Sequence, residues 1–314
     1  MLRIGVLVAI GVALVCLLSG CSVFNLVNAF VPRSTYIAHN DLAYGVHPRE
    51  KADVYEPRAG TAAPPGGFPV VVFFYGGSWT QGERADYRFV GEALASKGFV
   101  AVLADYRLYP EVRYPDFLED CAAAVAWSRR EAWHFGGDPQ RLYVMGHSAG
   151  AYNAAMLALD PRWLRAEGLS LTDLKGWIGL AGPYDFLPSD LPDVQKVFHH
   201  PDYPSGAQPI EHVSKDAPRT FLGAATKDTV VNPTRSTQQM ADKLRAAGVQ
   251  VTLRFYRGVN HSTLAGAFAL PLRGLAPVLD DVAAFIRADS AQPLLDKGPS
   301  ARPARPDELQ RLPE

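Results

Sequence analysis

The sequence predicts an α/β fold: a mostly parallel central sheet with helices on both faces and a small insertion over one end. Short β-branched and aromatic runs alternate with runs of helical length, a rhythm that implies crossover units. One of the short runs, Pro69 to Phe74 ("PVVVFF"), shows no polar alternation, as a strand buried on both faces requires. The rhythm is broken once, between Pro183 and Lys215, where an irregular stretch reads as a cap-like insertion over a ligand pocket.

Each element follows in order. Thr35 to Tyr44 and Lys51 to Tyr55 suit an antiparallel edge, and Pro69 to Phe74 begins the central sheet. A helix over "ADYRFVGEALASKG" ends at Gly98, and a strand covers Phe99 to Tyr106. A helix over Pro115 to Trp133, the strand "RLYVMG" and a helix over Ala149 to Leu159 come next. Strands over Gly176 to Gly182 and Arg219 to Ala225 precede a helix over Pro233 to Ala247. The strand Gln250 to Tyr256 and a helix over Ala276 to Arg287 close a domain that runs from 35 to 288.

The chain has 314 residues, 48% apolar and 20% charged, with a formal net charge of -1. That is an ordinary globular composition. No basic patch or like-charge run points to nucleic acid, so small-molecule chemistry or protein contact is the starting expectation. The N-terminus is different. Arg3 precedes an unbroken apolar run from Ile4 to Leu18, then "LSGC" up to Cys21. The run falls short of the roughly 20 residues of a membrane-spanning helix and has the build of an export signal. "LSGC" resembles the lipobox of bacterial lipoproteins, which implies a signal peptide over 1–20 and a lipid on Cys21. Membrane attachment in the cell envelope would follow, on the periplasmic side of an outer membrane if the cell has one. An uncleaved anchor or an ordinary signal is the alternative. Residues 21–34 read as a tether, and the Pro-rich tail 289–314 as disordered. Of three cysteines, only Cys121 would remain unmodified in the mature domain, so no internal disulfide can form there.

Gly146-His147-Ser148-Ala149-Gly150 fits G-x-S-x-G between a strand and a helix. Held on so tight a turn, Ser148 would point its hydroxyl out of the sheet at a helix N-terminus, and the residues two before and two after must be glycine. A serine hydroxyl needs a base and something to orient that base. Asp228 follows the strand ending at Ala225 and His261 follows the strand ending at Tyr256, so the order is Ser, Asp, His. Asp185, also just past a strand, is a rival acid. His147 is fixed inside the elbow. His199, His200 and His212 lie in the insertion, and His39, His47 and His134 sit in segments without a matching acid. A metal site from His199, His200 and Asp202 lacks metalloprotease spacing. An oxyanion would be held by backbone amides. Ala149 supplies one, and the loop Tyr75-Gly76-Gly77-Ser78-Trp79, after the first central strand, supplies the others.

With "YGGSW", "DYRLYPEVRYP", "GHSAG", Lys227-Asp228 and Asn260-His261 together, the chain from Thr35 to Ala288 resembles the α/β-hydrolases. It is similar in particular to the carboxylesterase, hormone-sensitive-lipase-like and kynurenine-formamidase-like (BD-FAE-type) group. The resemblance implies Ser148 as nucleophile, Asp228 as orienting acid, His261 as general base, and an oxyanion hole from the amides of Gly77, Ser78 and Ala149. It implies an ester substrate, with no metal or cofactor. Many relatives carry histidine at the position of Tyr75, which puts the analogy to the formamidases in doubt. Asp105 and Arg107 are expected to fix loops beneath the site. Hydrolysis of a formamide or amide on the same residues, and a non-catalytic envelope lipoprotein that kept the fold, remain open at this point.

Overall fold

The structure, a computed structural model, describes residues 23–288 except Ala59. Eight strands form one sheet in the order β1-β2-β4-β3-β5-β6-β7-β8. They are β1 (Tyr36–Ala43), β2 (Lys51–Pro57), β3 (Phe68–Phe74), β4 (Val100–Ala104), β5 (Gly137–His147), β6 (Leu174–Leu180), β7 (Thr220–Ala225) and β8 (Val251–Tyr256). β1 and β2 pair antiparallel and β2 meets β4 antiparallel, which gives the expected antiparallel edge. From β4 to β8 every pairing is parallel. The helices are α1 (Val23–Ala29), α2 (Arg88–Ser96), α3 (Asp116–Glu131), α4 (Ala149–Leu159), α5 (Pro161–Ala166), α6 (Pro192–Val197), α7 (Gln239–Ala246), α8 (His261–Gly266) and α9 (Val278–Ala288).

The apolar run of β3 is buried along its whole length, and its flanking strands β4 and β5 share that core. Removing such side chains from water supplies the main driving force, about 1.5–3 kcal/mol for each large aliphatic or aromatic group. β3 and β5 lie side by side, yet the chain leaves β3 toward β4 on one flank and leaves β5 toward β6 on the other. A crevice opens above the carboxyl ends of strands at such a reversal. The loop Tyr75–Trp79 and Ser148 both emerge there.

Two sequence expectations change. The tether is not free chain along its length: residues 23–29 form α1 and pack on the domain. The Phe24 ring lies 5.2 Å from that of Tyr87, and Asn28 Nδ2 donates to the carbonyl of Asp86 at 2.9 Å. Phe24, Val27 and Val31 face the core. The helix expected over Pro233–Ala247 is split, with a wider π turn over Thr234–Gln238 before α7. The insertion 183–215 is held down by rings. Phe198 lies 4.9 Å from Trp79, 5.1 Å from Phe186 and 5.5 Å from Tyr152, while Tyr152 Oη donates to the carbonyl of Ala207 at 2.7 Å. Cys121 is a free, buried thiol in α3, as a small core residue should be. The apolar run Ile4–Leu18, Cys21 and the tail 289–314 lie outside the described residues; among those described, no helix is long and apolar enough to cross a membrane.

Candidate active site

Ser148 sits at the junction of β5 and α4 with φ 54° and ψ -123°, a strained conformation for a residue with a side chain. The neighbouring glycines explain how it is reached. A Cβ on Gly146 would collide with the carbonyl of Gly150, and one on Gly150 with the carbonyl of Phe74. The Ser148 amide donates to the Leu180 carbonyl of β6 at 2.9 Å, which pins the turn to the next strand.

The three side chains converge. His261 Nε2 is 2.9 Å from Ser148 Oγ, and His261 Nδ1 is 2.8 Å from Asp228 Oδ2. His261 opens α8, whose N-cap Asn260 accepts the Thr263 amide at 2.9 Å, so the cap sets the direction in which the imidazole leaves the chain. Asp228 is fully buried at its side chain, and its other oxygen accepts the amides of Val230 at 2.9 Å and Val231 at 3.0 Å. Burial alone would raise its pKa. The hydrogen bond from His261, the two amides and the charge available on His261 outweigh burial and hold the carboxyl below its ordinary value. A charged acceptor on Nδ1 fixes the tautomer that leaves Nε2 free to accept a proton from Ser148.

The loop after β3 has an unusual backbone. Gly77, Ser78 and Trp79 have φ of 133°, 52° and 58° in succession. Gly76 brings the loop against Ser148: a Cβ there would stand 2.9 Å from that of Ser148. The amides of Gly77, Ser78 and Ala149 donate to no backbone acceptor among the described residues. They are thus available to an incoming anion. Trp79 anchors the far end of the loop through Nε1, which donates to Asn153 Oδ1 at 2.9 Å. Tyr75 turns away from this work. Its hydroxyl accepts from Arg49 Nη2 at 2.7 Å, its ring stacks 4.8 Å from Tyr106, and its carbonyl accepts from Tyr106 Oη at 2.8 Å.

Other candidates are placed elsewhere. Asp185 pairs with Arg235 at 3.0 Å, so the rival acid belongs to a cavity wall. Asp105 binds the Arg84 amide at 2.7 Å and its guanidinium, while Arg107 clasps buried Asp120 at 2.6 Å; both tie loops, as expected. His199 and His212 each meet a backbone carbonyl through Nε2. Among the described residues no group of three His, Cys, Asp or Glu side chains is arranged to hold a metal ion. One expectation fails: His39, His47 and His134 do have acids, Glu56, Glu111 and Glu131, although among the described residues no serine is hydrogen-bonded to them. Sequence reasoning also overlooked a role for His147. Its Nε2 meets the main-chain carbonyl of His261 at 2.9 Å, and burial, followed by the charge His261 can carry, pushes its pKa down to about 3. A neutral imidazole with its proton on Nε2 therefore braces the backbone of His261.

Two cavities meet at Ser148. One, of about 330 Å³, runs under the insertion and is lined by Trp79, Ala149, Phe186, Leu191, Val194 and Val231. The other, of about 450 Å³, is lined by Phe24, Gln81, Asp86, Tyr87, His147 and His261. Ser78, Ser148 and Val230 border both.

Against known proteins, the BD-FAE family matches residues 52–244. A rice (Oryza sativa subsp. japonica) protein described as a probable isoprenylcysteine alpha-carbonyl methylesterase is 29% identical over 79% of this chain and 63% of its own length. Esterase LipC of Mycobacterium tuberculosis is 30% identical over 67% of this chain and 56% of its own. The chain thus spans less than two thirds of the curated relatives it matches. Among solved structures, an esterase of Pyrobaculum calidifontis superposes with a TM-score of 0.67 at 24% identity, covering 85% of this chain and 90% of the other. Esterase B of Lactobacillus rhamnosis, inhibited by a tributyrin phosphonate, gives 0.70 at 18%, covering 85% and 90%. These two share the fold.

Proposed function

The chain belongs to the BD-FAE family and has the α/β-hydrolase fold, and from that premise we propose that it is a serine hydrolase that cleaves carboxylic esters through an acyl-enzyme. The observation that carries this reading is the continuous hydrogen-bonded series from Ser148 through His261 to Asp228, at 2.9 and 2.8 Å. His261 takes the Ser148 proton as Oγ attacks the carbonyl carbon. The amides of Gly77, Ser78 and Ala149 receive the oxyanion, and Asp228 stabilises the imidazolium. His261 then protonates the departing alcohol, and water, activated by the same imidazole, releases the acid.

Esters are favoured over formamides and amides because curated relatives are described as esterases. Tyr75, tied to Arg49 beneath the loop, also offers no side-chain donor at the hole. Comparing short aryl esters with N-formylkynurenine tests the choice: faster ester hydrolysis, abolished in Ser148→Ala, supports it, and a preference for the formamide overturns it. A non-catalytic lipoprotein would hydrolyse neither.

Cys21 as the lipid-bearing residue remains part of this proposal, resting on the "LSGC" motif alone. Cells fed an alkyne fatty acid should label the wild-type protein and leave Cys21→Ser unlabelled; equal labelling of both would refute it.

A further inference from the structure

We propose that the cavity beside His261 is the leaving-group subsite, and that Phe24 of α1 forms its aromatic wall and selects esters of alcohols that carry no anionic group and have an apolar, preferably aromatic, body. The inference rests on the ester-hydrolase reading and deepens it. In acylation the bond from Ser148 Oγ to the carbonyl carbon forms, the bond from that carbon to the alcohol oxygen breaks, and the proton held on His261 Nε2 passes to that oxygen. The departing oxygen must therefore lie on the imidazole side of the serine. Only one of the two cavities meeting at Ser148 is lined by His261, the one that also contains Phe24 and Tyr87. The cavity under the insertion lacks His261 and takes the acyl chain.

The walls name the alcohol. Phe24 and Tyr87, with ring centroids 5.2 Å apart, offer an aromatic edge to a flat or branched apolar body. Asp86, on the same wall, disfavours an anionic group there. α1 is tied to this wall by more than one ring: Asn28 donates to the Ala85 and Asp86 carbonyls at 3.1 and 2.9 Å and accepts the Phe89 amide at 3.2 Å. The N-terminal segment thus belongs to the substrate site and not merely to the attachment.

The test uses two ester series on the wild-type chain, Phe24→Ala and the milder Phe24→Leu, with Leu191→Ala as the control in the other cavity. One series varies the alcohol of butyrate esters (methyl, butyl, benzyl); the other varies the acyl chain of benzyl esters (acetate, butyrate, hexanoate). Phe24→Ala should lower kcat/KM for benzyl butyrate by about tenfold and for methyl butyrate by less than about twofold, with Phe24→Leu between. All three benzyl esters should fall by one common factor, because the acyl half does not touch Phe24. Leu191→Ala should do the reverse. Wild-type benzyl-to-methyl ratios in both Phe24 variants, or an effect of Phe24 that depends on acyl length, would overturn the assignment. Benzyl alcohol titration, which needs no turnover, separates this from a failure of the reaction itself. Binding weakened in the Phe24 variants supports the subsite even if no ester is cleaved, and binding equal to wild type refutes it.

Discussion

The floor and the walls of the site are built differently. The floor consists of Ser148, Asp228, His261 and the Tyr75–Trp79 loop, and each part follows the carboxyl end of a strand of the central sheet, where a neighbouring strand or a cap fixes its direction. The walls come from α1, the insertion and the segment after Asp228, which are short helices and irregular chain pinned by rings and single hydrogen bonds. Reaction chemistry demands positions held to a fraction of an ångström, and strand ends give that rigidity. Substrate choice demands only shape, and shape can be carried by segments that vary freely on the same scaffold.

Perturbations should separate the two layers, the floor giving the larger effects. Ser148→Ala should lower kcat by about 10³-fold or more, since the proposed nucleophile has no substitute. A rate near wild type would remove Ser148 from the floor. Asp228→Asn should cost on the order of 10²–10⁴-fold in kcat by allowing the wrong tautomer of His261, whereas Asp185→Asn should leave kcat close to wild type. Steady-state kinetics on one aryl ester compares the two, and the reverse ranking would move the acid to the wall.

A subtler effect concerns His147. Its folded-state pKa of about 3 lies below the unfolded reference of about 6.5. The unfolded chain therefore binds the extra proton first, and stability present above about pH 6.5 is lost as pH falls toward 3. His147→Gln should flatten the dependence of folding stability on pH in this window by as much as ~1.4 kcal/mol per pH unit. Denaturant melts at pH 5 and pH 7 measure it, and identical slopes would show that the imidazole is not buried and neutral. The smallest change is expected from Tyr75→Phe, which removes one of the two acceptors of Arg49 Nη2, the Gly82 carbonyl remaining. A loss of about 1 kcal/mol with kcat little changed would agree with a supporting place beneath the floor, and a large loss of kcat with stability intact would promote Tyr75 into the hole.

The same division governs what could be read from the sequence. The floor was legible because Ser148, Asp228 and His261 each stand within five residues of a strand's carboxyl end, so the strand pattern and the order Ser, Asp, His pointed to the three side chains that the fold brings together. The walls were not. Phe24, Val27 and Val31 repeat at helical spacing, yet their place directly after an apolar run read as an export signal suggested a tether; only the fold reveals the Tyr87 ring that Phe24 meets and the core against which all three pack. Asp185 lost its candidacy to Arg235, far away in sequence, and no local pattern encodes such a pair. His147 looked inert because its partner is a main-chain carbonyl supplied by another strand's loop.

The most direct test of the central claim, an activated hydroxyl at residue 148, is to treat the purified protein with a fluorophosphonate and locate the adduct by peptide mass spectrometry. The account predicts a single phosphonylated residue, Ser148, formed rapidly in the wild type and slowly in His261→Ala. An adduct on another residue, or none at all in protein that still hydrolyses esters, would contradict it.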